Sequence, residues 1–398
     1  MITRPVYLDY NATTPLDPRV LDAMMPFMTT RFGNAASRSH LFGREAADAV
    51  EEARNQVARL IGAEPQEVVF TSGATESVNL ALKGAFEMYR SRGNHIITVG
   101  TEHKAVLDTC ARLEAMGAEV TYLSVNAEGA INMLELEEAF RPTTILVSVM
   151  FANNETGVIH PLKEIAELAS RHGAIVFSDA TQAVGKIPVK VNEEGIDLMA
   201  FSSHKMYGPK GVGALYVRRK DPRVRLIAQI DGGGHERGMR SGTLNVPGIV
   251  GMGMACELCM LEMENESSRL RSLRDRMENS LLRNDETSVN GDIKNRLPHV
   301  LNIMIRHVES AVLIQDLMNE IALSSGSACS SASPEPSHVL KAMGLEKEEA
   351  NNSIRISLGR FTTEEEVEFA ITALLGYIER VRKESPLWNL HREGRMPH

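Results

Sequence analysis

The chain has 398 residues, enough for two or three domains at roughly 150 residues each. Apolar residues make up 43% and charged residues 24%, which excludes a disordered chain because there is ample surface to bury. The formal charge of −9 argues against a nucleic-acid or membrane-surface binder, and four cysteines do not make a disulfide framework.

In chain order, Met1-Ile-Thr-Arg-Pro-Val-Tyr-Leu-Asp9 has no apolar signal core. Val68-Val-Phe70 reads as a buried strand, and Thr71-Ser-Gly-Ala-Thr-Glu76 then opens a helical pattern. Ile96–Val99 repeats the theme before Thr101-Glu-His103. Thr144–Met150 leads to Asn153-Asn-Glu155, Ile175–Phe177 to Ser178-Asp-Ala180, and Leu198–Phe201 to Ser202-Ser-His-Lys205. Short apolar strands alternating with helices predict an α/β fold with a parallel sheet covered on both faces. Ligands of such sheets lie beyond the carboxyl ends of the strands, where each of these polar clusters falls. The longest uncharged stretch, residues 241–256, is too short and too rich in Gly and Pro for a membrane span.

Past about residue 260 the pattern changes. Leu270, Leu273, Met277 and Leu281 recur at helical spacing, and residues 299–305 alternate like a half-buried strand. Thr363-Glu-Glu-Glu366 fits a capping box ahead of a stripe from Val367 to Ile378. A smaller α+β domain is expected here. The division is 15–260 for a large domain, with 1–14 and 261–398 forming the small one. The tail from Ser385 to His398 is polar and expected to fray.

The chemistry-bearing residues each have a plain alternative. Lys205 is a surface lysine or, beside buried apolar structure, an amine able to form a Schiff base. Asp179 is a turn carboxylate or a counter-charge for a pyridine nitrogen, with Gln182 one helical turn on. Residues 71–75 are an ordinary cap or an anion site at a helix start. His103 and Asn154 follow strands and are ordinary residues when taken alone. Cys329, within Ser324-Ser-Gly-Ser-Ala-Cys-Ser-Ser-Ala-Ser333, is either incidental or a thiol presented on a mobile loop, residues 322–336. Arg355 is a surface ion-pair partner or a carboxylate clamp. Cys256 and Cys259 form a C-x-x-C without further metal ligands and are expected to pack inside a helix.

Taken together these segments resemble the NifS/IscS-type cysteine desulfurases of the class V aminotransferase group. The resemblance runs from Tyr7-Leu-Asp-Tyr-Asn-Ala-Thr-Thr-Pro15 to about Trp388, and Gly232-Gly-Gly-His-Glu-Arg-Gly238 and Arg240-Ser-Gly-Thr243 belong to it. It implies a mostly parallel seven-stranded sheet flanked by helices, of the aspartate-aminotransferase type, and pyridoxal phosphate as cofactor. Lys205 would carry the cofactor, Asp179 would face its ring nitrogen and Gln182 its phenolic oxygen. His103 would stack on the ring and help move protons. Ala74, Thr75, Ser202 and His204 would bind the phosphate, joined by Thr243 of the partner subunit. Asn154 and Arg355 would orient the substrate.

Cys329 would take sulfur from L-cysteine as a persulfide, releasing L-alanine. The resemblance further implies a cytoplasmic homodimer passing sulfur to an iron–sulfur scaffold or another acceptor. It implies no resident metal, with Cys329 at most sharing a cluster with the scaffold, and neither nucleic acid nor membrane as partner. A selenocysteine or cystine lyase on the same fold, and a non-catalytic scaffold, are the competing readings. The long loop with Cys329 argues against the first, and retention of Lys205 and Cys329 against the second. Ser203 stands where related sequences commonly have Gly, which bears on the phosphate loop. Val78 replaces a commonly polar residue, and the usual Gly-Glu pair is missing near Glu309-Ser-Ala-Val312. The ending Glu393-Gly-Arg-Met-Pro-His398 departs from the family's docking tail, which bears on the acceptor.

Overall fold

A computed structural model of the chain describes residues 2–325, 336–385 and 388. Its strands are, in chain order, β1 (Val6–Tyr7), β2 (Val68–Thr71), β3 (His95–Val99), β4 (Glu119–Leu123), β5 (Thr144–Ser148) and β6 (Ile175–Asp179). There follow β7 (Leu198–Ser202), β8 (Gly213–Val217), β9 (Thr287–Val289), β10 (Val300–Ile305), β11 (Ile321–Ala322) and β12 (Ser353–Ser357).

Among the described residues, seven strands form one sheet in the order β2-β8-β7-β6-β5-β3-β4. All neighbours are parallel except around β8, which runs antiparallel to both β2 and β7. The physical reason is chain length. A parallel return needs a crossover of a dozen residues or more, usually helical, and residues 203–212 make only a short 3-10 turn and a loop. That same connection carries Lys205. The carboxyl ends of β2, β3, β5, β6 and β7 therefore share one edge of the sheet.

Side chains alternate across the strands into two apolar layers. Phe70, Val99, Val147 and Phe201 face one layer, which the helix Leu41–Ile61 and the first half of the helix Val246–Leu281 cover. Val69, Ile96, Leu146 and Phe177 face the other, covered by the helices Ala74–Tyr89 and Lys104–Glu114. Val78 lies in this second layer, fully buried.

A separate core gathers the antiparallel sheet β12-β10-β9, the second half of the helix Val246–Leu281 and the helix Glu364–Glu384. Thr363 caps the latter reciprocally with Glu366, as its sequence predicts. Val6 and Leu8 also enter this core, because β1 pairs with β11. Two expectations change in detail. The 36-residue helix runs unbroken through residue 260, so no linker separates the halves there. Its first half is apolar and long enough to cross a membrane by length and composition. Here it packs against the sheet, with Met252, Cys256 and Cys259 fully buried. Secondly, β10 is buried along nearly its whole length rather than on one face. Leu301 and Ile303 face the smaller core, while Asn302 on the opposite face donates to the Glu155 carbonyl at 3.2 Å.

The edge strand β2 leads directly to the Ser72-Gly73 turn, and a buried ion pair holds it. Arg54 donates to both Glu236 oxygens at 2.7 and 2.9 Å, and Glu236 also accepts from the Phe70 amide at 2.8 Å. Glu236 and Arg237 take positive φ of 48° and 58°, a conformation that persists only where surrounding bonds fix it. The prediction is that Glu236→Ala lowers stability to chemical denaturation by about 3–5 kcal/mol, since it strands a buried guanidinium. Arg54→Ala/Glu236→Ala should then lose clearly less than the sum of the two single losses.

Candidate active site

At the shared carboxyl edge of the strands lies a cavity of about 490 Å³. Each strand end supplies part of its wall. From β2 come Ser72 to Glu76, where the chain turns into a helix. Gly73 sits at φ 156°, and a Cβ on Gly213 would come within 2.7 Å of the Gly73 Cα. Backbone approach this close requires glycine and leaves the helix start facing the cavity as an anion site. Ala74 and Thr75 line this part of the wall, as does Ser202 at the end of β7.

His103 follows β3 and caps the helix behind it, its Nδ1 accepting from the Ala105 amide at 3.1 Å. With Nδ1 an acceptor, a neutral ring carries its proton on Nε2. Glu102 beside it is fully buried. Burial, and then the charge of Asp179, push its carboxyl well above the ordinary range. A protonated Glu102 spares Asp179 a second negative charge close by. Asp179 ends β6 and accepts from the Thr181 amide at 3.0 Å.

Lys205 donates from Nζ to the carbonyls of Asn11 and Ala12 at 2.6 and 2.7 Å. Burial, with the charges of Lys205, Lys210 and Lys186 behind it, lowers the His204 ring to about 4, so it is neutral near pH 7. Its Nδ1 lies 3.0 Å from the Thr13 hydroxyl. The Ser203 side chain does not line the cavity. Its Oγ lies 1.9 Å from where a Cβ on Gly208 would stand, so serine at 203 and glycine at 208 fit each other.

Arg355 comes from β12, in the other core, and reaches the same cavity. Its guanidinium donates to Asp9 Oδ1 at 2.7 Å and to the Asn154 carbonyl at 3.1 Å, so it is held in place before any ligand arrives. The backbone of Arg355 pairs with Ser324, donating to its carbonyl at 2.7 Å. Beyond residues 326–335, Ser337 caps the next helix and donates to the buried Glu155 carboxylate at 2.5 Å.

The cavity thus unites Ala74, Thr75, His103, Asn154, Asp179 and Gln182 with Ser202, His204, Lys205 and Arg355. Thr243 is exposed and lines no part of the cavity of its own chain. Cys329 lies outside the described residues. Among the described residues no group of His, Cys, Asp and Glu is arranged for a metal ion. Asn11, Ala12, Thr181 and Lys210, which carry no role in the motif reading, also line the cavity. Asn11 sits in the Tyr7–Pro15 motif and Lys210 in the glycine turn after Lys205, so position in a motif was the available signal.

Residues 6–369 match the family Aminotransferase class-V. The cysteine desulfurase IscS of Klebsiella pneumoniae is 56% identical over 392 residues, 98% of this chain and 96% of that protein. The cysteine desulfurase IscS of Anaeromyxobacter dehalogenans is 54% identical over 391 residues, with the same shares covered. A solved NifS-like protein superposes with a TM-score of 0.87 at 38% identity, covering 94% of this chain and 100% of its own. The chain belongs to the class-V aminotransferase family.

Proposed function

We propose that the protein is a pyridoxal-phosphate-dependent cysteine desulfurase that converts L-cysteine to L-alanine and keeps the sulfur as a persulfide on Cys329. One observation carries the reading. A single cavity joins the amine of Lys205, the carboxylate of Asp179 and the guanidinium of Arg355, and the sequence bearing Cys329 follows closely on Ser324, whose backbone pairs with Arg355. Full-length relatives named cysteine desulfurase support it.

The residues present suit this cofactor. An amine is there for its aldehyde, a carboxylate for its ring nitrogen and an amide for its phenolic oxygen. The helix start at Gly73 with Ala74, Thr75, Ser202 and His204 suits its phosphate, and the partner subunit's Thr243 would complete that set. When bound, the cofactor supplies an electron sink for the pair freed at the substrate α-carbon. Lys205 Nζ carries it and then takes the α-proton. Asp179 holds the ring nitrogen protonated. His103 stacks on the ring and handles protons through Nε2. Asn154 and Arg355 orient the substrate carboxylate.

The Cys329 thiolate attacks the substrate sulfur, forming an S–S bond as the Cβ–S bond breaks. The electron pair of the broken bond stays on Cβ, which then takes a proton. L-cysteine and an enzyme thiol become L-alanine and an enzyme persulfide, with no outside oxidant or reductant. The active assembly is a cytoplasmic homodimer that hands the sulfur to an iron–sulfur scaffold or another acceptor protein. Its large half spans 15–260, and its small half comprises 1–14 and 261–398.

The reading is tested by incubating the holoenzyme with L-cysteine and a reductant and quantifying both products. Alanine and sulfide should form in equal amounts, and Cys329→Ala should abolish both. Alanine production that survives in Cys329→Ala would instead mean lyase chemistry. For Arg355→Lys, which keeps the charge and loses the planar fork, KM for L-cysteine should rise about 10–100-fold with a smaller change in kcat. An unchanged KM would remove Arg355 from substrate binding.

A further inference from the structure

Lys186 has no part in the scheme above, yet it touches the site from behind. It lies four residues past Gln182 in the turns after β6, is 8% exposed, and does not line the cavity. It lines a separate small crevice with Tyr10, Glu266 and His299. Its amine donates to Gln182 Oε1 at 2.9 Å. At the other end of the same carboxamide, Gln182 Nε2 donates to the Asn11 carbonyl at 3.0 Å. That carbonyl also receives the Lys205 amine, which lines the cavity, so Nε2 is on the cavity side while Oε1 turns toward Lys186.

The Asn11 carbonyl cannot exchange its role, and neither can the Lys186 amine in its charged form. A backbone carbonyl only accepts, whereas an amine has protons to give. A flipped carboxamide would set donor against donor at Lys186 and acceptor against acceptor at Asn11. Burial, with the charge of Lys205 second, brings the Lys186 amine down to about 7; charged or neutral it can donate, and at Asn11 the carbonyl holds the same orientation in either state. The orientation of Gln182 is therefore fixed by its neighbours before any ligand binds. An amide nitrogen has two protons; Asn11 takes one, and an acceptor in the cavity can take the other.

We propose that Lys186 is a positioning residue for the cofactor. It locks the Gln182 carboxamide with its nitrogen toward the cavity, which selects a bound group presenting an acceptor oxygen there, the phenolic oxygen of pyridoxal phosphate in its ionised form. The inference rests on the assignment of Gln182 to that oxygen.

The test is a double-mutant cycle on the reconstituted holoenzyme, comparing wild type, Lys186→Met, Gln182→Leu and the double variant. It reads the absorption spectrum of the bound cofactor and its Kd. Lys186→Met should shift the long-wavelength band toward the near ultraviolet and weaken cofactor binding about fivefold, the worth of one hydrogen bond. In the Gln182→Leu background the same change should have no further effect. A Lys186→Met enzyme with the wild-type spectrum and affinity overturns the proposal. So does an effect that persists undiminished without Gln182, because the lysine then acts by another route. A Gln182→Leu enzyme with wild-type spectrum and affinity overturns the assignment of Gln182 itself, which is a distinct failure. If Lys186→Met does not fold, Lys186→Gln enters the same cycle, and its effect must likewise vanish in the Gln182→Leu background.

Discussion

Asn11 is the node on which the site depends. It is 1% exposed, and each of its polar groups is engaged. Its amide donates to Ser357 Oγ, and its side chain spans the Asn154 carbonyl and the His299 ring. Its carbonyl accepts from both Gln182 and Lys205. One buried residue thereby ties the end of β12, the loop after β5, the turns after β6 and the connection after β7. The constraint comes from β1, which pairs with β11 in the smaller core and carries the chain past the mouth of the cavity. The Lys205 amine and the Arg355 guanidinium from the other core are thus registered to each other through a short N-terminal segment. Asp9 does the same for Arg355.

The electrostatics of the site follow from keeping its surroundings neutral. Three amines and a guanidinium approach one another at Lys186, Lys205, Lys210 and Arg355. His204 and His299 respond by losing their protons, each pushed down first by burial and then by nearby positive charge. Behind Asp179, Glu102 shifts in the opposite sense, its carboxyl pushed up by burial and then by the charge of Asp179. Asp179 is left as the carboxylate that can answer a positive ring nitrogen. A cavity with positive charge at several points, with Glu76 paired to Arg240 and Asp179 set on its wall, suits a phosphorylated ligand with a protonated ring and a carboxylate-bearing substrate.

Much of this was legible in the sequence because the fold puts chemistry at strand ends. Five apolar runs each stop at a polar cluster, and a parallel sheet must bring such ends together. The seven-stranded sheet, and the convergence of Asp179, Lys205 and Arg355, follow from that logic and from the family resemblance. Periodicity could not reveal Asn11 or Lys186. Neither belongs to a repeating pattern: Asn11 acts through hydrogen bonds to residues more than 140 positions away, and Lys186 through one bond within a turn that has no regular period. The burial of β10 was missed for a related reason. Its alternation reports one apolar face, while the other is covered through polar contacts such as Asn302 to Glu155. The continuous helix through residue 260 was hidden by a change of partner, since its first half packs on the sheet and its second half on the smaller core.

On the proposed function one particular amine of the cavity, Lys205, must carry the cofactor, although Lys186 and Lys210 are close by. Borohydride reduction of the holoenzyme fixes pyridoxal phosphate to whichever lysine holds it, and peptide mapping by mass spectrometry then identifies that residue. The structure predicts a single modified peptide containing Lys205 as the modified residue. Modification at Lys210 or Lys186 in its place, or a bound cofactor that reduction does not attach to the chain, would contradict the account.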